Sequence, residues 1–74
     1  MQGSSEKKLL AVLGRNLNRI RREKGLSQDQ LAVKADVTKR YIQMIESGQK
    51  CPKIFTIKRL QAALGCSWDD LLES

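Results

Sequence analysis

Residues Gln28–Gly48 read QDQLAVKADVTKRYIQMIESG, two brief helical patterns that break at Asp36, with the charge gathered on the second. Ser27 stands immediately before the first pattern and Gln30 three residues on, which completes a capping box and predicts a helix over Gln28–Ala35. Leu31, Ala32 and Ala35 share its inward side. Asp36 is one of the few non-glycine residues that visits the left-handed region without a large penalty. Val37 is expected as a buried staple ahead of Thr38, which caps a helix over Lys39–Ser47, and Gly48 ends it. Two helices that meet steeply after a three- or four-residue turn need small residues at the crossing, a turn residue that tolerates positive φ, and apolar anchors that fix the angle. Ala32 and Ala35, Asp36, and the trio Val37, Ile42 and Ile45 supply these in turn, so the stretch has helix-turn-helix geometry.

The flanking sequence extends the pattern. Upstream, Leu10, Leu13, Leu17 and Ile20 recur at steps of three and four, one face of an amphipathic helix that starts near Ser5 or Glu6. Arg15, Asn18, Arg19 and Arg22 fall on its outer face. Gly14 either lowers local propensity or lets another element approach closely, and Gly25 suits the position that stops this helix after Lys24. Residues Met1–Ser4 read as a loose tail, so residues 1–8 hold the tail and the start of helix one and residues 9–73 the domain. Downstream, Pro52 fits the start of a fourth helix over about Lys53–Leu64, with Ile57, Leu60 and Leu64 inward and Gly65 at its end. Ser67 and Asp70 make a second capping box ahead of a terminal turn, Trp68–Leu72. No segment alternates as a strand would. The predicted fold class is all-α, a compact domain of five helices with the helix-turn-helix at helices two and three.

Composition narrows the function. The chain has 74 residues and 41% hydrophobic content, enough for one small core. Fourteen Lys and Arg against eight Asp and Glu give a net charge of +6. In a domain this small the excess points either to a polyanionic partner, nucleic acid ahead of membrane, or to a merely solvated surface. With no His and two isolated cysteines, Cys51 and Cys66, a four-donor metal site is not expected. The two thiols read as reduced structural groups, although the sequence also admits a disulfide between them. No apolar run approaches the roughly 20 residues of a membrane span, no small-molecule ligand is evident, and a cytoplasmic protein without cofactors is expected. Glu6, Asp69, Asp70 and Glu73 fall at helix ends and not in a shielded site, and no nucleophile–base pair or Gly-rich phosphate loop is present, so an enzyme is not expected.

The third helix carries the chemistry. At 3.6 residues per turn, Ile42 and Ile45 define its inner face, while Arg40, Gln43, Met44 and Ser47 point away and Lys39 lies on an edge. That outward face holds no carboxylate. Arg and Lys can donate to guanine, Gln can pair with adenine, and Met can touch a thymine methyl. A face of this kind on the second helix of a helix-turn-helix is suited to the major groove.

On these residues the chain resembles the phage repressor/Cro-type, or xenobiotic-response-element, helix-turn-helix family, whose fold is the lambda-repressor-like five-helix domain. The resemblance is carried by LNRIRREKGLSQDQLA (Leu17–Ala32), VTKRYIQMIESGQKCP (Val37–Pro52) and LQAALGCSWDDLL (Leu60–Leu72). It implies sequence-specific binding of double-stranded DNA, usually as a homodimer on a pseudo-palindrome. By position it implies base contacts from Lys39, Arg40, Gln43 and Met44. Phosphate contacts are implied for Gln28, Thr38, Tyr41, Ser47, Gln49, Lys50 and Lys53. It also implies an Arg21–Glu46 pair linking the first and third helices, where the bland alternative is two free surface charges. Asp36 stands where glycine is usual, Lys58 and Gln61 where an apolar and a small residue are usual, and Phe55 where a polar residue is common.

Several residues keep two readings. Met44 could fill the rim of the core, and Tyr41 could pack rather than touch phosphate. Phe55, Trp68 and Leu72 could serve the core or form a dimer surface, with the core preferred for Leu72. The rival to a DNA-binding regulator is the same fold used as a protein-interaction module, such as an antitoxin-like partner-binding subunit, motivated by Phe55, Trp68 and the Leu9–Val12 flank.

Overall fold

The computed structural model describes residues 2–73, with side chains described from Glu6 to Glu73. Five helices follow one another: α1 (Gln2–Glu23), α2 (Gln28–Ala35), α3 (Lys39–Glu46), α4 (Ile54–Leu64) and α5 (Trp68–Leu72). No strand occurs among the described residues. Helices of five to eleven residues are marginal alone, because nucleation is unfavourable and few hydrogen bonds follow it, so α2 to α5 owe their stability to packing. α1 packs on α3 and α5, and α2 packs on α3 and α4. Their shared core is Leu13, Leu17 and Ile20 of α1, Leu31, Ala32 and Ala35 of α2, Ile42 and Ile45 of α3, Leu60 and Leu64 of α4, and Leu71 of α5.

The turns close as the capping residues dictate. Ser27 and Ser67 each open a capping box, with Gln30 and Asp70 reaching back to the cap N–H groups. Gly25, Gly48 and Gly65 all take positive φ. At the end of α3 the Gly48 N–H donates to Ile45 O (3.0 Å) and the Gln49 N–H to Met44 O (2.9 Å), the paired bonds of a Schellman stop.

Three expectations shift. α1 starts at Gln2, so residues 2–4 continue the helix instead of forming a tail; once a helix is nucleated, each added residue brings a backbone hydrogen bond at small cost. Met1 lies outside the described residues. In α5 the core position belongs to Leu71, which is fully buried, while Leu72, preferred for the core, is 36% exposed. A five-residue helix offers barely one turn of periodicity, so the sequence pattern could not fix which of two adjacent leucines faces inward. Asn18, placed on the outer face of α1, is half-buried and bonded to α3.

Asn16 explains how α5 is held. It is buried within the inward face of α1, and its Nδ2 donates to Leu71 O and Glu73 O, both at 2.7 Å. The last carbonyls of a helix have no intrahelical partner, and this amide supplies one.

Candidate nucleic-acid interface

The turn between α2 and α3 is built from backbone hydrogen bonds that require one left-handed residue. Asp36 takes φ 57° and ψ 48°. The Asp36 N–H donates to Val33 O (3.2 Å) and the Val37 N–H to Ala32 O (2.9 Å), while Arg59 Nη1 of α4 donates to Asp36 O at 3.3 Å. Val37 is half-buried against the core. This turn and the small buried residues Ala32 and Ala35 beside it let α2 and α3 pack on each other.

α3 is anchored at its C-terminal end. Ile42 and Ile45 are fully buried. The α1 backbone comes so close that a Cβ on Gly14 would lie 2.5 Å from Ile45 O and 2.6 Å from Glu46 O. Only glycine fits there. Two turns along the same flank of α1, Arg21 Nε donates to Glu46 Oε2 at 2.7 Å and Arg21 Nη2 to Glu46 Oε1 at 3.2 Å. Asn18 Nδ2 (2.9 Å) and Gln28 Nε2 (3.0 Å) also donate to Glu46 Oε1. The side chains of the Arg21–Glu46 pair are 10% and 6% exposed, so it is not a surface pair. Burial pushes the Glu46 carboxyl upward. The hydrogen bonds from Arg21, Asn18 and Gln28, with the Arg21 charge, outweigh burial and hold it below the usual carboxylate range. One carboxylate therefore ties α1, α2 and α3 together. Asn18 is a part of this knot that the sequence reading missed. The signal was present: Gly14, Asn18 and Arg21 follow one another at steps of four and three, a single flank of α1.

The start of α3 and one side along its length face outward. Thr38 is exposed, and its Oγ1 accepts the Tyr41 N–H at 3.1 Å. The hydroxyl hydrogen remains free to donate, and the N–H groups of Lys39 and Arg40 in the first turn have no intrahelical acceptor. This end of α3 is thus suited to an anion. Arg40, Gln43, Met44, Ser47 and Gln49 together line one open depression on the surface. Met44 is half-buried at its rim and the other four are exposed. Lys39 stands at the edge, 51% exposed, with its Nζ 3.7 Å from Asp29 Oδ2; such exposed pairs contribute only about 0–1 kcal/mol.

The remaining candidates are distributed around this face. Gln28 is half-buried. A carboxylate only accepts, so the amide nitrogen must be the group turned to Glu46. One of its two amide hydrogens is therefore engaged inside the protein; the other, and the Gln28 backbone N–H in the first turn of α2, are left for the phosphate contact expected of its side chain or amide. Tyr41 packs against the core, with Lys50 Nζ 5.8 Å from its ring centroid. Ser47 donates its hydroxyl to Met44 O at 3.1 Å. Gln49, Lys50 and Lys53 are exposed, and Lys53 precedes α4 in extended conformation. Of the expected dimer surface, Phe55 is 74% exposed and Leu72 is exposed, whereas Trp68 is half-buried. Cys51 and Cys66 are both free thiols. Among the described residues, no group of His, Cys, Asp or Glu could hold a metal ion, and no helix is long and apolar enough to cross a membrane.

A short helix with a polar, carboxylate-free outer face, locked at a fixed angle behind a second short helix, defines a helix-turn-helix protein. The comparisons agree. The sequence matches the helix-turn-helix family over residues 17–71, and the chain belongs to that family, in its Cro/C1-type branch of transcriptional regulators. It is 34% identical over 61 residues to the uncharacterised HTH-type transcriptional regulator y4dJ of Sinorhizobium fredii, covering 82% of this chain and 79% of that protein. It is 33% identical over 57 residues to the uncharacterised HTH-type regulator YqaF of Bacillus subtilis, covering 77% and 75% of the two chains. Among solved structures it is similar to the restriction-modification controller protein C.AhdI of Aeromonas hydrophila, with TM-score 0.80, 32% identity, and coverage of 84% of this chain and 94% of that one. It is also similar to the hypothetical transcription factor NHTF of Neisseria, with TM-score 0.82, 33% identity, and coverage of 90% and 77%.

Proposed function

We propose that this chain is a sequence-specific regulator of transcription that lays α3 in the major groove of double-stranded DNA and acts in the cytoplasm as a homodimer on a pseudo-palindromic site. The observation that carries the reading is the depression lined by Arg40, Gln43, Met44, Ser47 and Gln49, on the outer side of a helix whose α1-facing flank is fixed by Gly14 and Glu46. Arg40, Gln43 and Met44, with Lys39 at the edge, read base edges. Thr38, Tyr41, Ser47, Gln49, Lys50 and Lys53 set the register on phosphates, joined by the side chain or backbone N–H of Gln28. The net charge of +6 favours a polyanion generally, and the site chemistry selects among sequences. Exposed Ile54, Phe55 and Leu72 offer apolar surface to a second copy.

Selection from a random double-stranded DNA pool at moderate salt, followed by salt titration of the winner, tests this. The expected result is a motif of two half-sites with centres about 10 base pairs apart or a multiple of that. Arg40→Ala should cost roughly 1–3 kcal/mol and relax specificity at one base pair. A pool without enrichment, together with tight and salt-resistant capture of a protein partner, would instead support the interaction-module reading.

A further inference from the structure

Among the described residues, Lys39 is the only one of the four base-reading candidates with an ion-pair partner. That partner, Asp29, occupies the first turn of α2, on the rim of a face that otherwise lacks carboxylates. Nothing in the packing of α2 on α3 requires the contact. The two helices are joined by buried Leu31, Ala32, Ile42 and Ile45, and Asp29 itself is 70% exposed. We propose that Asp29 is a specificity-determining residue: it holds Lys39 back from indiscriminate phosphate contact and directs its donors to base edges. This rests on the DNA-reading role of α3 proposed above.

The reasoning is electrostatic and geometric. A lysine on four methylenes is a mobile point charge, and beside a duplex it can settle on almost any phosphate. Such contacts strengthen every complex regardless of sequence. With Asp29 at 3.7 Å, Lys39 must leave a carboxylate to reach a phosphate, so one anion is exchanged for another and little is gained. An ammonium has three N–H donors. At 3.7 Å the contact with Asp29 is an ion pair and not a hydrogen bond, so all three stay available to acceptors such as guanine O6 and N7, while the carboxylate sets the side from which the ammonium approaches them. Discrimination against wrong sequences is a difference between two affinities, and a group that weakens the wrong complex raises it as effectively as one that strengthens the right one.

The test compares binding of the selected site with binding of a scrambled duplex across a salt series. In Asp29→Asn, scrambled-duplex affinity should rise about two- to fivefold, the range open to an exposed ion pair. Its salt slope should steepen by about 0.9, the signature of one more phosphate contact. Affinity for the selected site should change less, so the specificity ratio falls. Asp29→Glu, which keeps the carboxylate, should restore the ratio. In a Lys39→Met background, Asp29→Asn should leave the ratio unchanged. Equal gains on both duplexes, or the same gain with Lys39 removed, would mean that Asp29 acts only as a general negative charge, and the proposal would be wrong. A wild-type chain that selects no sequence would overturn the DNA-reading role itself, and this inference with it. Thermal unfolding of each variant confirms that the fold is intact.

Discussion

Replacing Glu46 by Gln keeps the shape of the side chain and removes half of its accepting capacity. The native carboxylate receives four hydrogen bonds, two from Arg21 and one each from Asn18 and Gln28, at 2.7 to 3.2 Å. A carboxamide oxygen in the place of Oε1 keeps the three made there, while the NH2 group in the place of Oε2 would confront Arg21 Nε, donor against donor. Both donors are then orphaned, and each buried orphan costs about 1–3 kcal/mol. The lower part of that range applies, because Arg21 keeps a 2.7 Å hydrogen bond to Leu26 O. The expected loss is about 2–4 kcal/mol, against a total stability on the order of 5–15 kcal/mol for a small domain. In a chain of this size it should lower Tm by on the order of 10–20 °C, followed by circular dichroism. The pH dependence tests the same carboxylate. Its pKa is depressed in the folded state, so its contribution is complete above the unfolded value and is lost as pH falls through the lower, folded one. Wild type should therefore lose its stability advantage over Glu46→Gln under acid conditions and keep it at neutral pH. A variant melting within about 2 °C of wild type at pH 7 would refute the idea that this carboxylate joins the three helices.

Other residues give sharper local expectations. Gly14→Ala would set a methyl 2.5 Å from Ile45 O, a backbone atom that cannot swing aside, so α1 and α3 must part; a loss of roughly 2–4 kcal/mol in urea unfolding is expected. Leu71→Ala removes a fully buried side chain and should cost about 2–5 kcal/mol, whereas Leu72→Ala should stay within about 1 kcal/mol of wild type in the same titration. Asn16→Ala leaves the Leu71 and Glu73 carbonyls without their amide, and hydrogen exchange should show α5 opening faster than α2.

The sequence was most informative where a local rule has a single solution. Ser27 with Gln30, Ser67 with Asp70, and the glycines at 25, 48 and 65 mark helix ends because capping and positive φ leave few residue choices, and the structure ends its helices at those places. Asp36 was legible for the same reason. Long-range polar contacts were less so. Asn16 and Asn18 lie two residues apart, yet one bonds to α5 and the other to α3, because successive helical positions are about 100° apart and face different neighbours. Helical periodicity separates inside from outside but does not say which neighbour a flank will meet. Gln28 shows the same limit within the candidate site. A first-turn glutamine of α2 suggests a phosphate donor, and only the position of Glu46 reveals that one of its two amide hydrogens is also used inside the protein.

The placement of these contacts along α3 has a mechanical consequence. Eight residues make a helix about 12 Å long, too short to hold its own direction in water. The Gly14 approach, the Glu46 knot, buried Ile45 and the Gly48 stop all lie in its last turn or just beyond. Near the first turn, the turn at Asp36 and Val37 fixes where the helix begins, while Thr38, Lys39 and Arg40 stay exposed. The helix is thus clamped in its last turn, on the flank facing α1, while Lys39 and Arg40, two of the four proposed base-reading residues, lie at the other end. A clamp at that end sets pitch and rotation together, and a change of a few degrees there displaces Arg40 relative to any groove it enters. On the proposed DNA-reading role of α3, mutations at Gly14, Asn18 or Glu46 should therefore disturb DNA selectivity at temperatures where the domain is still folded, even though none of these side chains lies on the proposed reading face. Repeating the random-pool selection with Asn18→Ala separates the two kinds of effect. A weakened or shifted motif from a folded variant would show that orientation is controlled from α1. An unchanged motif would assign Asn18 to stability alone.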